Sequence, residues 1–215
     1  MSRAPPVKDK WKLKKWFRVL APEFFGSVEI ATTPADDTSK VLGRTFEVSL
    51  FDLTGDFSKH HIMLKFQIVD VDEDVARTWF KGHELARDYM RSLIRRKSSK
   101  VAAVCDVTTS DGYVLRITAI SLTTYRCKTS QKHAIRKEMM RVLSERASQL
   151  SLAELVKSMV FGTLVAEIFE ACKKIYPIRK VEIYKSKLLY TTTPEKLEEA
   201  AAPPASSYVS QQPSS

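Results

Sequence analysis

Few residues of this 215-residue chain stand where catalysis or metal binding would need them. His83-Glu84 opens like a two-histidine zinc motif, but Leu85-Ala86-Arg87 follows and the second ligand is missing. Asp70, Asp72 and Asp74 alternate as at the start of a calcium loop. Val75 then takes the place of the glycine such a loop needs, and Lys81 that of the bidentate glutamate. His60-His61 has no cysteine or third histidine nearby and reads as a surface or strand-edge pair. Cys105, Cys127 and Cys172 are odd in number and far apart, which suits neither a disulfide framework nor a metal knuckle. The six glycines assemble no phosphate-binding loop. Carboxylates are numerous, yet their spacing holds no pair for acid–base work. The expectation is a protein with no catalytic residue, no metal ligand and no cofactor.

What remains is charge. The chain carries 35 Lys+Arg against 25 Asp+Glu, a net +10, which points to a polyanionic partner. The charges are segregated. Residues 2–18 hold seven bases and one acid, and residues 23–74 reverse the sign with eleven acids and four bases. Three basic blocks follow: 87–100 with six bases to one acid, 126–146 with seven to two, and 173–187 with six to one. Charge kept only for solubility would be scattered. Phosphate contacts are therefore expected from Lys8, Lys10, Lys12, Lys14, Lys15 and Arg18, where Trp11, Trp16 and Phe17 add rings able to stack on bases or to dock in a pocket. They are also expected from Arg87, Arg91, Arg95, Arg96 and Lys97, from Lys128, Lys132, Arg136, Lys137 and Arg141, and from Lys185 and Lys187. The acidic stretch would be repelled by a polyanion, so its face should look to solvent or to a basic protein.

These side chains need elements to position them. Residues 45–50 and 62–68 alternate apolar and polar with period two, and residues 52–56 supply turn chemistry between them. Residues 101–108 and 113–123 flank Ser110-Asp111-Gly112, a strong hairpin signal. Residues 83–97 read as a helix that stacks Arg87, Arg91 and Arg95 four apart, without acidic partners. Residues 131–147 read as a second basic helix burying Ile135, Met139, Val142 and Leu143. Ser151-Leu152-Ala153-Glu154 has capping-box spacing, Phe161-Gly162 interrupts the helix it starts, and Pro177 stops the next one. Residues 179–187 return to strand. The fold class expected is α+β: an antiparallel β-sheet closing toward a barrel, flanked by amphipathic helices mostly in the C-terminal half. The domain division expected is a basic arm over 1–18, one α+β domain over 19–190, and a disordered tail over 191–215.

One run is more specific than any of this. Leu42-Gly43-Arg44-Thr45-Phe46-Glu47-Val48-Ser49-Leu50-Phe51-Asp52-Leu53 resembles the signature of the archaeal and eukaryotic small-subunit ribosomal protein family usually called S-three-a, or S-one-e. Thr108-Thr109-Ser110-Asp111-Gly112-Tyr113, Ile135-Arg136-Lys137-Glu138-Met139-Met140 and Ile175-Tyr176-Pro177 agree in order. Thr45 departs from the usual aliphatic residue, and the length looks archaeal. The resemblance implies a structural role on the platform side of the small subunit, near the messenger exit region and the 3′ end of the ribosomal RNA. It implies that RNA, neighbouring ribosomal proteins and, near the exit region, messenger RNA as partners, in the cytoplasm and with no membrane. The competing reading from the residues is a transiently bound translation or RNA-processing factor, which a high-salt sucrose cushion would strip from subunits.

Overall fold

The computed structural model describes residue 11 and residues 14–191. Lys8, Lys10 and Lys12 of the basic arm, and the tail beyond Thr191, lie outside the described residues. Period-two patterning produces eight strands in one sheet: β1 (Lys15–Leu20), β2 (Glu29–Ala35), β3 (Thr45–Ser49), β4 (Ile62–Asp72), β5 (Val75–Leu85), β6 (Lys100–Thr108), β7 (Tyr113–Thr123) and β8 (Ile178–Thr191). Five helices accompany them: α1 (Leu50–Thr54), α2 (Arg87–Leu93), α3 (Thr129–Gln149), α4 (Leu152–Phe161) and α5 (Thr163–Lys173). The architecture is α+β, with the longer helices in the C-terminal half. The last four residues given to the arm, 15–18, are the start of β1, which pairs antiparallel with β2 and parallel with β5.

The sheet does not close. Its order runs β2-β1-β5-β8-β7-β6, and β3 joins through β4 to β5. β5 is the branch point. Its first residues pair with β1, whereas Gly82, His83 and Glu84 pair with Lys187, Ser186 and Lys185 of β8. A strand that gives one edge to two partners in succession forks the sheet instead of wrapping it, so β2, β3 and β6 remain edges.

Ile62, Leu64, Phe66 and Ile68 of β4 and Ala76, Thr78 and Phe80 of β5 turn inward, as alternation requires. Ile135, Met139, Val142 and Leu143 of α3 pack on that core, each large side chain worth roughly 1.5–3 kcal/mol when removed from water. The Ser151–Glu154 capping box forms, and Gly162 at φ +94° separates α4 from α5. A second small cluster of Phe17, Val19, Ala35, Val41, Ile68 and Ala76 seals the β1/β2 end.

Two expectations fail. Residues 83–97 are not one helix: 83–85 complete β5, held by β4 on one edge and β8 on the other, and only Arg87–Leu93 are helical. Pairing on both edges outweighs the helical periodicity, so Arg95 falls outside α2 and the three-arginine stripe does not exist. Nor is Arg91 without an acidic partner, because Asp88 lies 3.9 Å away. The expected turn over 52–56 also differs, since α1 begins at Leu50 under a Ser49–Asp52 capping box and ends on Gly55.

The signature run turns out to be scaffold. The Gly43 N–H donates to the Ile68 carbonyl, 2.9 Å away, at φ +80°. Arg44 pairs with no carboxylate among the described residues. Its guanidinium donates to the carbonyls of Lys40 (2.9 Å) and Pro34 (3.1 Å) and to the Thr33 hydroxyl, tying the β3 lead-in to β2.

At the β5–β8 junction His83 is fully buried. The Ser186 hydroxyl donates to Nδ1 (2.6 Å), and Nε2–H donates to the Ile183 carbonyl (3.1 Å), which fixes a neutral tautomer. Burial pushes this imidazole down to about 4 from 6.5. The unfolded chain then binds a proton in a pH range where the folded one does not, so stability rises with pH between about 4 and 6.5 and levels off above. Acidification across that window should cost about 3 kcal/mol. Urea unfolding at several pH values checks this: the wild type should show the loss, and His83→Gln should lack it.

Candidate nucleic-acid interface

Three loops meet at one end of the sheet. Ser99 receives the backbone N–H of Thr123 on its carbonyl (3.0 Å) and that of Cys127 on its hydroxyl (3.2 Å). Thr124 N–H donates to the Pro177 carbonyl (3.1 Å), and the Tyr176 hydroxyl to the Arg126 carbonyl (3.2 Å). The Arg179 guanidinium caps the Leu93 carbonyl at the end of α2. The segments so gathered, 94–100, 124–132 and 171–180, hold four, three and four bases respectively and not one acid. Three blocks separate in sequence thus become one basic pole.

Arg95, Arg96 and Lys97 are all exposed on the α2–β6 loop, where Lys97 turns the chain at φ +62°. They have no ion-pair partner among the described residues. Neither do Arg126 and Lys128 on the β7–α3 loop, Lys132 on the first turn of α3, or Lys173 at the end of α5. Tyr125 stands among these cations with 66% of its surface exposed. Cations without internal partners and a presented ring are what binding a phosphate backbone and an unstacked base requires.

Other expected contacts are distributed differently. Lys14 lies over the Trp11 ring, 4.3 Å from its centroid. Lys15 is exposed at the start of β1, and Arg18 shares the outer face of that strand with the exposed Trp16. Arg87 is exposed on α2. Arg136 donates from Nε to the Ala102 carbonyl (2.8 Å), which pins α3 to the edge strand β6, while Lys137 faces solvent. Lys185 belongs to a ladder of charge on the sheet's outer face, Glu47–Lys65–Glu84–Lys185, with spacings of 2.8, 3.2 and 3.1 Å. Lys187 beyond it is exposed.

Arg141 is the weakest of the expected contacts. Its guanidinium is held between Glu138 and Glu145 and keeps the Glu138 carboxyl below its usual range. A phosphate would have to displace two carboxylates. Arg141→Gln should therefore change RNA affinity less than about twofold, since counterion release counts only cations that hold counterions. Filter binding at several salt concentrations checks this through an unchanged log–log slope.

Sequence reasoning passed over Lys100, Arg126, Lys173, Lys174, Arg179 and Tyr125. The signal that would have found them is an acid-free run at each strand end, a pattern distinct from base density. Among the described residues no group of histidine, cysteine and carboxylate side chains is arranged to hold a metal ion, and no helix is long and apolar enough to cross a membrane.

Fold and charge thus define a class: a basic α+β scaffold that presents cations at one end. The comparisons with known proteins are specific. The chain matches the model of the Ribosomal S3Ae family over residues 3–192. It is 60% identical over 189 residues to the small ribosomal subunit protein eS1 of Staphylothermus marinus, covering 88% of this chain and 89% of that one. It is 54% identical over 189 residues to the eS1 of Desulfurococcus amylolyticus, with the same coverage, and 53% identical over 198 residues to that of Aeropyrum pernix, covering 90% and 92%. The chain belongs to the Ribosomal S3Ae family. It is a structural constituent of the ribosome, not an enzyme, and its compartment is the cytoplasm.

Proposed function

We propose that the protein is built into the small ribosomal subunit, where it holds ribosomal RNA through the basic pole and the N-terminal arm. The observation that carries this reading is the convergence of three acid-free loops on one end of the sheet, with Tyr125 among their cations. Ribosomal RNA offers phosphates, 2′-hydroxyls and occasional splayed bases over an irregular surface, and that pole offers complementary groups. Family resemblance supports a platform-side position near the messenger exit region, with neighbouring small-subunit proteins and emerging messenger RNA within reach.

Competition between tagged and full-length protein for incorporation into subunits, followed by a high-salt sucrose cushion, tests the reading. The full chain should stay with the subunits through the cushion. Removing residues 1–13, which leaves β1 intact, should lower the incorporated fraction severalfold, because it deletes Lys8, Lys10 and Lys12. Removing residues 195–215, which carry Glu195, Glu198 and Glu199 against the single base Lys196, should leave it unchanged. A full-length protein that washes off in salt would return the chain to the class of transient factors.

A further inference from the structure

The acidic part of the chain contains a cleft that RNA would avoid. It has a volume of about 550 Å³ and lies where the 3-10 turn Glu23–Phe25 crosses the β4–β5 hairpin. Its walls are apolar: Phe24 packs edge-on against Trp79 at 6.2 Å, Val69 stands out of the sheet at a β-bulge with 64% exposure, and Ala153 of α4 lies opposite. Its rim is acidic. Glu23 and Asp70 have no cationic partner among the described residues, and Arg77 is already held by Asp72 at 2.9 Å. The hairpin continues into Glu73 and Asp74, which have no cationic partner among the described residues either.

We infer that this cleft docks a basic segment of a neighbouring protein of the assembly, one that inserts a large apolar side chain between Phe24, Val69 and Trp79. The inference goes beyond RNA binding and rests on the chain's being assembled with other proteins. Charge decides the occupant. A phosphate backbone meets Glu23 and Asp70 at the rim, with Glu73 and Asp74 further along the hairpin. The chain's own residues 192–215 follow Thr191, which pairs with Tyr113, whose ring lies 6.1 Å from Trp79. Their charge is of the wrong sign. The basic arm precedes the far end of β1, roughly 17 Å of extended chain from Leu20 at the cleft. A cationic peptide from outside finds its lysines and arginines matched by the rim, and its apolar residue matched by an aromatic wall against which a cation could also stack.

A photo-crosslinking amino acid placed at Val69, in full-length protein assembled into small subunits, tests this. After irradiation, mass spectrometry should find the crosslink in a segment of another ribosomal protein that carries net positive charge and an apolar residue at or beside the joined position. Adding Glu23→Lys and Asp70→Lys should reduce that crosslink at least tenfold. Crosslinks to ribosomal RNA, to residues 1–13 or 192–215 of the same chain, to a second copy or to an acidic segment would overturn the inference, as would no crosslink from an incorporated protein. A probe at Ala153, read in the same way, decides the matter should the Val69 variant fail to incorporate. Because incorporation is measured separately, failure of the docking site is distinguishable from failure of the ribosomal reading.

Discussion

Replacing Arg95, Arg96, Lys97, Arg126 and Lys128 together with glutamine is expected to weaken binding to small-subunit ribosomal RNA on the order of 10³-fold at moderate salt, at roughly 0.8 kcal/mol per exposed contact. These cations lie on two loops that Ser99 ties together, and none has an acidic partner among the described residues. Each can therefore hold a counterion in the free protein and release it on binding. The slope of log affinity against log salt should accordingly fall by about 4, at 0.7–0.9 per lost contact. Loop positions carry little of the core, so circular dichroism and melting temperature should be unaffected. Adding Tyr125→Ala should cost a further 1–3 kcal/mol or so while leaving the slope alone, because stacking involves no counterion. Equal losses from the five-fold variant and from Arg141→Gln would mean that affinity follows net charge and not the pole.

Gly82→Ala is expected to be the most damaging single methyl group in the chain. A Cβ there would stand 2.3 Å from the Ser186 carbonyl oxygen and 3.3 Å from the Lys187 Cα, both backbone atoms that cannot swing aside. The three rungs joining β5 to β8 would have to separate, at a cost of about 3 kcal/mol. For a chain of this length the melting temperature should fall by roughly 6–12 °C. Water admitted to the junction would also reach His83, so the variant should lose the acid sensitivity between pH 4 and 6.5. Ser186→Ala, which removes a hydroxyl but leaves the strands paired, should cost only about 1 kcal/mol. If Gly82→Ala melted with the wild type, β5 and β8 would not be as close as described.

Alternation and turn chemistry make β3, β4, β6, β7 and β8 legible in the sequence, and capping residues mark α4 and its break at Gly162. What misled was β5. Residues 83–97 carry a passable helical stripe, and nothing local reveals that 83–85 are claimed by a strand about a hundred residues later. β1 and β2 were missed for a related reason: with six and seven residues, and Pro34 in the second, they are strands because they find partners. The site was legible as chemistry but not as geometry. Counting bases by block picked out the segments whose loops the fold gathers into one pole. It could not show that Arg141 is consumed by Glu138 and Glu145, or that Lys185 serves a ladder of carboxylates, because those neighbours are set by the fold. The Gly43-Arg44 signature allowed the family to be recognised, yet its residues hold β2, β3 and β4 together and stand apart from the pole.

The position of β8 has a consequence for how the chain is made. Among the described residues it is the last strand to leave a translating ribosome, yet it lies inside the sheet, between β5 and β7. Until residues 178–191 emerge, both of those strands offer unpaired backbone edges to whatever is nearby, including each other and other nascent chains. Completion must wait for contacts spanning about a hundred residues, which makes this a slow closure by topology. A nearly finished chain is therefore adhesive, and any partner that covers the open edges of β5 and β7 early would shorten the time it spends unguarded.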